Sequence, residues 1–146
     1  MKGILFLFMK SLEFYKHQLF RSFFLTYYFS GIPLVNVPQP SYSVNYDGSV
    51  TLTCTVTANP THTTVYWQRI VNGVSTTVTL GNRYSGSTVN TPSLTITNAD
   101  QSDEGFYVCY ATNSVGTGNS QQTYLDVAGS KLYFHLKQIL YTVKPL

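Results

Sequence analysis

The chain has 146 residues, enough for one domain with a modest core and too few for a second domain of ordinary size. Its net charge of +3 is unevenly distributed, because residues 1–33 and 130–146 each sum to +3 whereas the middle holds two arginines against five acidic residues. A segment with so few cations cannot neutralise a row of phosphates, so nucleic-acid binding is set aside as its function.

The segment before residue 35 differs in kind from the middle, and eight of the nine phenylalanines lie outside the middle. An apolar run at 3–9 is followed by Lys10 and Glu13 rather than by the small residues of a cleavage site. A second run, at 22–35, is too short to span a bilayer. We expect residues 1–34 to be a flank outside the domain: a divergent signal segment, an amphipathic helix at a membrane surface, or translated non-coding sequence.

The middle begins with short stretches that alternate apolar and polar residues. Residues 37–40 contain two prolines and are expected at an edge or entry position, since proline cannot donate to a ladder. In residues 49–56 every second residue is apolar and the others are Ser or Thr, which predicts one half-buried strand. Residues 65–71 form a strand around Trp67. Asn72-Gly73 then predicts a hairpin that pairs 65–71 with 74–80.

Three further strands follow in the sequence. Leu94 and Ile96 share the buried face of residues 93–97, and Tyr107 shares a face with Cys109. Leu125 and Val127 share one face of a strand near the end of the middle segment. Many short strands with period two and no helical period predict an all-β fold, a two-sheet sandwich.

Residues 35–128 resemble an immunoglobulin-superfamily domain of the I-set type. The matching positions are Gly48, Val50, Leu52, Cys54, Trp67, Leu94, Ile96, the run Asp103-x-Gly105-x-Tyr107-x-Cys109, and Ala111, Asn113 and Gly116. Residues 83–87 also resemble a strand of variable-type domains. The resemblance implies an immunoglobulin-like Greek-key sandwich of about 100 residues.

The resemblance also implies structural roles for five of these positions. Cys54 and Cys109 would join the two sheets through a disulfide, with Trp67 and Leu94 in the core beside it. The alternative is a pair of buried free thiols, as in intracellular modules of the same fold. Tyr107 would bury its ring and bond its hydroxyl back to the preceding turn.

The resemblance further implies that Asp103 forms an ion pair with Arg83.

No sequence pattern indicates an enzyme. The three histidines are far apart and lie in no metal-ligand spacing, and neither a nucleophile elbow nor a phosphate-binding glycine loop occurs. We therefore predict no catalytic residues, no metal, no cofactor and no small-molecule substrate.

Strand parity predicts one candidate binding surface. If Trp67, Tyr107, Cys109 and Leu125 point inward, their sequence neighbours point outward. In the family these strands are neighbours in one sheet, so the outward residues should form an exposed, largely aromatic patch that marks an interface. The predicted patch consists of Tyr66, Gln68, Ile70, Val108, Tyr110 and Tyr124, with Gln122 among them.

The sequence therefore predicts an extracellular or cell-surface module that binds another protein in adhesion or recognition, with its own copy as one candidate partner. Membrane attachment would come only through other parts of a parent protein. Two alternatives stay open: a spacer in a tandem array of matrix or muscle type, and an immune-receptor domain that binds through the loops near Asn59 and Asn113. Residues 129–146 are expected to be a second flank outside the domain.

Overall fold

The structure is a computed structural model that describes Lys16, Gln18, Leu19 and residues 30–129 and 131–142. The chain divides into two compact units, Met1–Gly31 and Ile32–Leu146. The expected apolar run at 3–9 and most of the run at 22–35 fall outside the described residues.

The second unit consists mainly of short strands, as its residue pattern predicts. In chain order its elements are β1 (Leu34–Asn36), β2 (Ser41–Asn45), β3 (Val50–Leu52), β4 (Thr55–Thr57), β5 (Thr64–Val71), β6 (Val74–Thr77), β7 (Tyr84–Gly86), β8 (Leu94–Ile96), the 3-10 turn η1 (Gln101–Asp103), β9 (Gly105–Thr112), β10 (Thr117–Asn119), β11 (Thr123–Ala128) and α1 (Lys131–Thr142).

The strands form the two layers of a sandwich. One layer has the order β2-β11-β9-β5-β6, with β10 paired to β9 beyond the start of β11. Within it only the β2–β11 pair is parallel. The other layer contains the sheet β3-β8-β7 and the pair β1–β4. The predicted two-sheet sandwich is confirmed.

The proline segment at 37–40 connects the two layers. Before it, β1 pairs with β4, and after it, β2 pairs with β11. Pro38 and Pro40 have no N–H to donate, so the ladder ends there and the chain can change sheets. The segment is thus a crossing point between sheets, which is more specific than the edge or entry position that was predicted.

The predicted strand at 49–56 is wrong in one respect, because the structure divides it into β3 and β4. The break falls at Thr53 and Cys54, whose N–H groups donate to side chains instead of to a strand backbone, Thr53 to the Tyr42 hydroxyl at 3.0 Å and Cys54 to the Ser93 hydroxyl at 3.1 Å. The alternation itself holds, since Leu52 and Cys54 are buried while Thr51 and Thr53 are exposed. The chain therefore keeps its inward and outward faces while its hydrogen-bond partner changes.

The predicted hairpin at Asn72-Gly73 is confirmed. Val71 pairs with Val74 across a two-residue turn, and both central residues have positive φ, 51° at Asn72 and 77° at Gly73. This is the backbone of a type I′ turn, for which Asn-Gly is the preferred pair. The second arm, β6, ends at Thr77 rather than at residue 80.

The core lies between the layers. Its largest fully buried side chains include Leu52, Trp67, Leu94, Tyr107 and Leu125. The predicted disulfide between Cys54 and Cys109 is present, and it links two strand segments that belong to different layers. Trp67 lies opposite Cys109 in the β5–β9 register, and its indole N–H donates to the Pro92 carbonyl at 2.8 Å.

The C-terminal flank contains α1, a helix that was not predicted. Three of its apolar side chains are strongly exposed, namely Leu132, Tyr133 and Leu136. Among the described residues, no helix combines the length and the apolar character needed to cross a bilayer. The strands run from Leu34 to Ala128, so β1 begins inside the range expected to be flank. The domain limits of 35 and 128 stay a prediction.

Candidate protein-binding face

The outward side of the larger sheet brings most of the predicted patch together. In the β5–β9 ladder Tyr66 lies opposite Tyr110, and Gln68 lies opposite Val108. The next outward row consists of Ile70 on β5, Phe106 on β9 and Tyr124 on β11. We call these seven residues the aromatic face: Tyr66, Gln68, Ile70, Phe106, Val108, Tyr110 and Tyr124.

Two aromatic pairs occupy the ends of this face. The rings of Tyr66 and Tyr110 stack with centroids 4.9 Å apart and planes within 4° of parallel. Phe106 and Tyr124 meet edge to face, with centroids 5.0 Å apart and planes at 62°. Such pairs contribute about 0.5–1.5 kcal/mol beyond their buried area, so each ring restrains its neighbour before any partner arrives.

Val108 corrects the prediction, because it is only 3% exposed although it was expected in the exposed patch. It lies on an inner strand, with Phe106 and Tyr110 two positions away on the same side and Gln68 opposite. Large neighbours on several sides cover a valine that points outward. Val108 therefore lies within the aromatic face, covered by its neighbours, and offers a partner almost no surface.

Phe106 was missed by the sequence prediction, yet its side chain is 45% exposed and is the most exposed of the aromatic face. The signal was available, since Phe106 precedes the inward Tyr107 and parity therefore turns it outward. Tyr124 is 36% exposed. Tyr66, Gln68, Ile70 and Tyr110 are half-buried, and Gln122 is exposed just before β11 begins.

No residue of the aromatic face carries a charge. Its one amide is held in place, because the Ser75 hydroxyl donates to Gln68 Oε1 at 2.8 Å. A solvated outer face of an antiparallel sheet is normally polar, so an uncharged aromatic surface here is unusual. The surface has the composition found at the centre of protein interfaces.

A shallow cleft of about 370 Å³ adjoins the Phe106 end of the aromatic face, where β5 and β9 meet η1. Its charged groups are already engaged: the Arg69 guanidinium donates to the Ser102 carbonyl, and Glu104 Oε1 accepts the Val127 N–H at 3.3 Å. Gly105 lets β9 approach β5 closely beside the cleft, because its φ is +147° and a Cβ there would lie 3.0 Å from the Ile70 carbonyl oxygen. The cleft assembles no group of catalytic side chains.

A buried ion pair holds the turn before β9 in place. Asp103 is fully buried and accepts from the Arg83 guanidinium, from the Tyr84 hydroxyl and from the Asp100 N–H at 2.9 Å. Arg83 also pairs with Asp100 at 3.0 Å. Asp103 was predicted as the partner of Arg83, whereas Tyr84 and Asp100 were not predicted as members of this network.

Tyr107 ties the same turn to the core, because its buried hydroxyl donates to the Asp103 carbonyl at 2.7 Å. Burial raises the pKa of Tyr107, and burial together with the bond to Asp103 raises the pKa of Tyr84 to about 12. The pKa of Asp100 is lowered, chiefly by the bond from the Ser102 hydroxyl. The raised pKa values keep the protons on Tyr84 and Tyr107, and the lowered pKa keeps the charge on Asp100, which suits a structural role.

Within the described residues, no cluster of His, Cys, Asp or Glu could hold a metal ion. His62 Nε2 lies 3.2 Å from the Val89 carbonyl oxygen and His135 is exposed on α1, while His17 is outside the described residues.

These features define a class of protein. A two-sheet β-sandwich is joined by one disulfide, a tryptophan lies opposite one of its cysteines, and a buried tyrosine closes the turn before the second cysteine strand. This combination is that of an immunoglobulin-type domain.

Comparison with known proteins identifies the family. A family model described as an immunoglobulin domain matches residues 33–113, more than half of the chain. The chain belongs to the immunoglobulin domain family.

Three relatives illustrate where such domains occur. Fibroblast growth factor receptor homolog 2 of Drosophila melanogaster is 34% identical over 101 residues, which are 65% of this chain and 9% of that protein. The N-terminal Ig1-2 module of the Drosophila receptor protein tyrosine phosphatase DLAR is 36% identical with a TM-score of 0.54, over 68% of this chain and 47% of that one. The N-terminal four Ig domains of Dscam1 isoform 4.44 are 25% identical with a TM-score of 0.56, over 67% of this chain and 25% of that one.

The chain spans less than half the length of each of these relatives. It contains an immunoglobulin module of the kind found in receptor-type proteins.

Proposed function

We propose that this domain is an extracellular recognition or adhesion module that binds another protein through the aromatic face. The observation that carries the proposal is an uncharged aromatic surface on the outside of a sheet, built from Tyr66, Ile70, Phe106, Tyr110 and Tyr124. Aromatic residues are enriched and charged residues depleted at the centres of interfaces.

The disulfide supports an extracellular location. Cys54 and Cys109 are both buried and paired, and the structure holds no free cysteine elsewhere in its described part. Disulfides persist in oxidising compartments and are rare in the cytosol. The receptor-type relatives point to the same environment.

The geometry of the face supports a protein as the partner rather than a small molecule. The aromatic rings lie along a sheet surface, and the adjoining cleft is open and shallow. Small-molecule sites are concave and enclose most of their ligand, whereas flat surfaces with rigid aromatic anchors suit protein partners. The stacked Tyr66 and Tyr110 rings lose little conformational freedom on binding, which favours affinity.

The first test is sedimentation equilibrium of the full chain over a wide concentration range, beside Tyr110→Arg. This change puts a charge into the stacked Tyr66–Tyr110 pair of the aromatic face and should dissociate a homophilic dimer. Thr51→Arg is the matched control, because Thr51 is exposed on β3 in the opposite layer. A dimer that both variants weaken equally would contradict binding through the aromatic face.

If the wild-type chain is monomeric at every concentration, the homophilic form of the proposal is refuted. Binding of the multimerised chain to cultured cells then separates the remaining options. Loss of binding in Tyr110→Arg alone would indicate a heterologous partner on the aromatic face. Loss only on changes near Asn59 or Asn113 would favour the immune-receptor alternative, and no binding at all would favour the spacer.

A further inference from the structure

The outer edge of β6 presents unpaired backbone groups in a fixed pattern. Because the hairpin turn has two residues, Val71 and Val74 form a hydrogen-bonded pair, and such pairs alternate along an antiparallel ladder. The Val78 N–H accordingly donates to the Trp67 carbonyl at 2.9 Å. Ser75 and Thr77 therefore direct their N–H and C=O groups away from β5, toward the open side of the sheet.

Within the described part of the chain, this edge lacks most of the usual protections against pairing, although β6 is only four residues long. Natural edge strands carry lysine, proline or a bulge, or are covered by another element. Residues 74–80 contain no charge and no proline, and all four residues of β6 are exposed. Val74 is 64% exposed and Leu80 is 46% exposed. The edge thus offers hydrogen-bonding groups flanked by apolar side chains.

The sequence of this edge is nearly the same in both directions. Residues 74–78 read Val-Ser-Thr-Thr-Val, so reversal about Thr76 exchanges Val74 with Val78 and Ser75 with Thr77. In an antiparallel pair of identical strands about a two-fold axis, residue i of one copy meets residue j of the other and j meets i, so this near-symmetry brings like residues together. Valine meets valine and a hydroxyl residue meets a hydroxyl residue, with no like charges facing each other.

We propose that a second copy of this chain pairs with the first along β6, antiparallel and about a two-fold axis through Thr76. Ser75 of each copy exchanges both backbone hydrogen bonds with Thr77 of the other, which gives four bonds across the junction. Thr76 faces its own counterpart in a non-hydrogen-bonded pair, where side chains come closest. Val74 of each copy packs against Val78 of the other. This contact shields Val74, which is the more exposed of the two valines.

The pairing has a geometric consequence for the aromatic face. The two-fold axes of an antiparallel ladder are perpendicular to the sheet, so the operation keeps each face of the sheet on its own side. The aromatic faces of both copies would lie side by side on one extended sheet. The inference thus goes beyond the proposed function, since it concerns a different surface and would make the recognition module bivalent.

The test uses charges at the two-fold axis in the full chain. Thr76→Lys places like charges in the closest cross-strand pair and should abolish self-association, and Thr76→Glu should do the same. An equimolar mixture of Thr76→Lys and Thr76→Glu should dimerise again, because the charges are then opposite. Sedimentation equilibrium measures all three samples, and circular dichroism checks that each variant is folded.

A second variant examines the backbone bonds. Thr77→Pro removes an N–H that faces away from β5 and therefore deletes two of the four bonds of the junction. We expect the dimer dissociation constant to rise about tenfold or more. Thr77→Val keeps the N–H and is the matched control.

Three outcomes would overturn the edge pairing: a wild-type chain that is monomeric throughout, a dimer insensitive to Thr77→Pro, or no association in the mixed Thr76 sample. The two proposals fail separately. A dimer lost in Tyr110→Arg but kept in Thr77→Pro would support the aromatic face and refute the edge, and the reverse result would support the edge alone.

Discussion

The buried ion pair between Arg83 and Asp103 allows a quantitative test of how the turn before β9 is held. Asp103 has no exposed side-chain surface, whereas the side chain of Arg83 is 35% exposed and keeps Asp100 at 3.0 Å as a second partner. Removing one member of a buried pair costs about 3–5 kcal/mol, because the remaining charge stays without compensation. The loss should therefore depend on which member is removed.

Arg83→Met leaves a buried carboxylate with only the Tyr84 hydroxyl and the Asp100 N–H as donors. We expect a loss of about 3 kcal/mol, the lower end of the range, because Arg83 is partly solvated. Asp103→Asn should cost about 2 kcal/mol, since Arg83 keeps Asp100 and the amide still accepts hydrogen bonds. The double variant should lose about 3 kcal/mol rather than 5, a coupling of about 2 kcal/mol.

Urea unfolding at fixed ionic strength, followed by the fluorescence of Trp67, the only tryptophan, measures these losses. Ser43→Ala and Asp126→Asn form a control pair, because their exposed hydrogen bond at 3.2 Å should couple by less than about 0.5 kcal/mol. Additive losses at Arg83 and Asp103, within about 0.5 kcal/mol, would refute the assignment of a coupled buried pair.

Three further predictions concern the same framework. Replacing Cys54 and Cys109 together by alanine should lower the free energy of unfolding by about 4 kcal/mol, since the disulfide closes a sequence separation of 55 residues; a loss below about 1 kcal/mol in urea unfolding would contradict this. Tyr107→Phe removes the donor to the Asp103 carbonyl and should cost about 1–2 kcal/mol by the same assay, with an unchanged midpoint as the contrary result. Tyr84 has a pKa of about 12 in the fold against 10.0 when unperturbed, so the unfolded chain loses this proton first and stability should fall as pH rises from 10 to 12. In Tyr84→Phe the stability should fall less steeply over this pH range. A variant whose stability falls as steeply as that of the wild type would argue against the assignment to Tyr84.

The inward positions of the strands could be predicted from sequence because strand periodicity is local. Alternation places Tyr107 and Cys109 on one face, the family resemblance implied a core position for Trp67, and the structure buries all three. The Asn72-Gly73 turn was equally predictable from sequence, since few residue pairs accept positive φ at both positions.

The features that were missed depend on residues distant in sequence. At the break between β3 and β4, the Thr53 N–H donates to the Tyr42 hydroxyl, 11 positions earlier, and the Cys54 N–H donates to the Ser93 hydroxyl, 39 positions later. The burial of Val108 depends on the size of its neighbours, which alternation does not report. Arg83 gains a second partner, Asp100, because η1 brings that residue back toward Asp103 through a capping box. The side of the sheet to which a residue points was thus predictable from sequence. Its burial and its hydrogen-bond partners depend on how the strands assemble into sheets.

The parallel pairing of β2 with β11 gives the domain a mechanical property. These strands lie near the two ends of the sandwich sequence, and five residue pairs connect them, from Ser41 with Tyr124 to Asn45 with Ala128. Tension between the chain ends would pull two parallel neighbours in opposite directions along their axes. All the bonds of this ladder would then be loaded together in shear, whereas pulling an antiparallel hairpin apart from its open end breaks its bonds one after another.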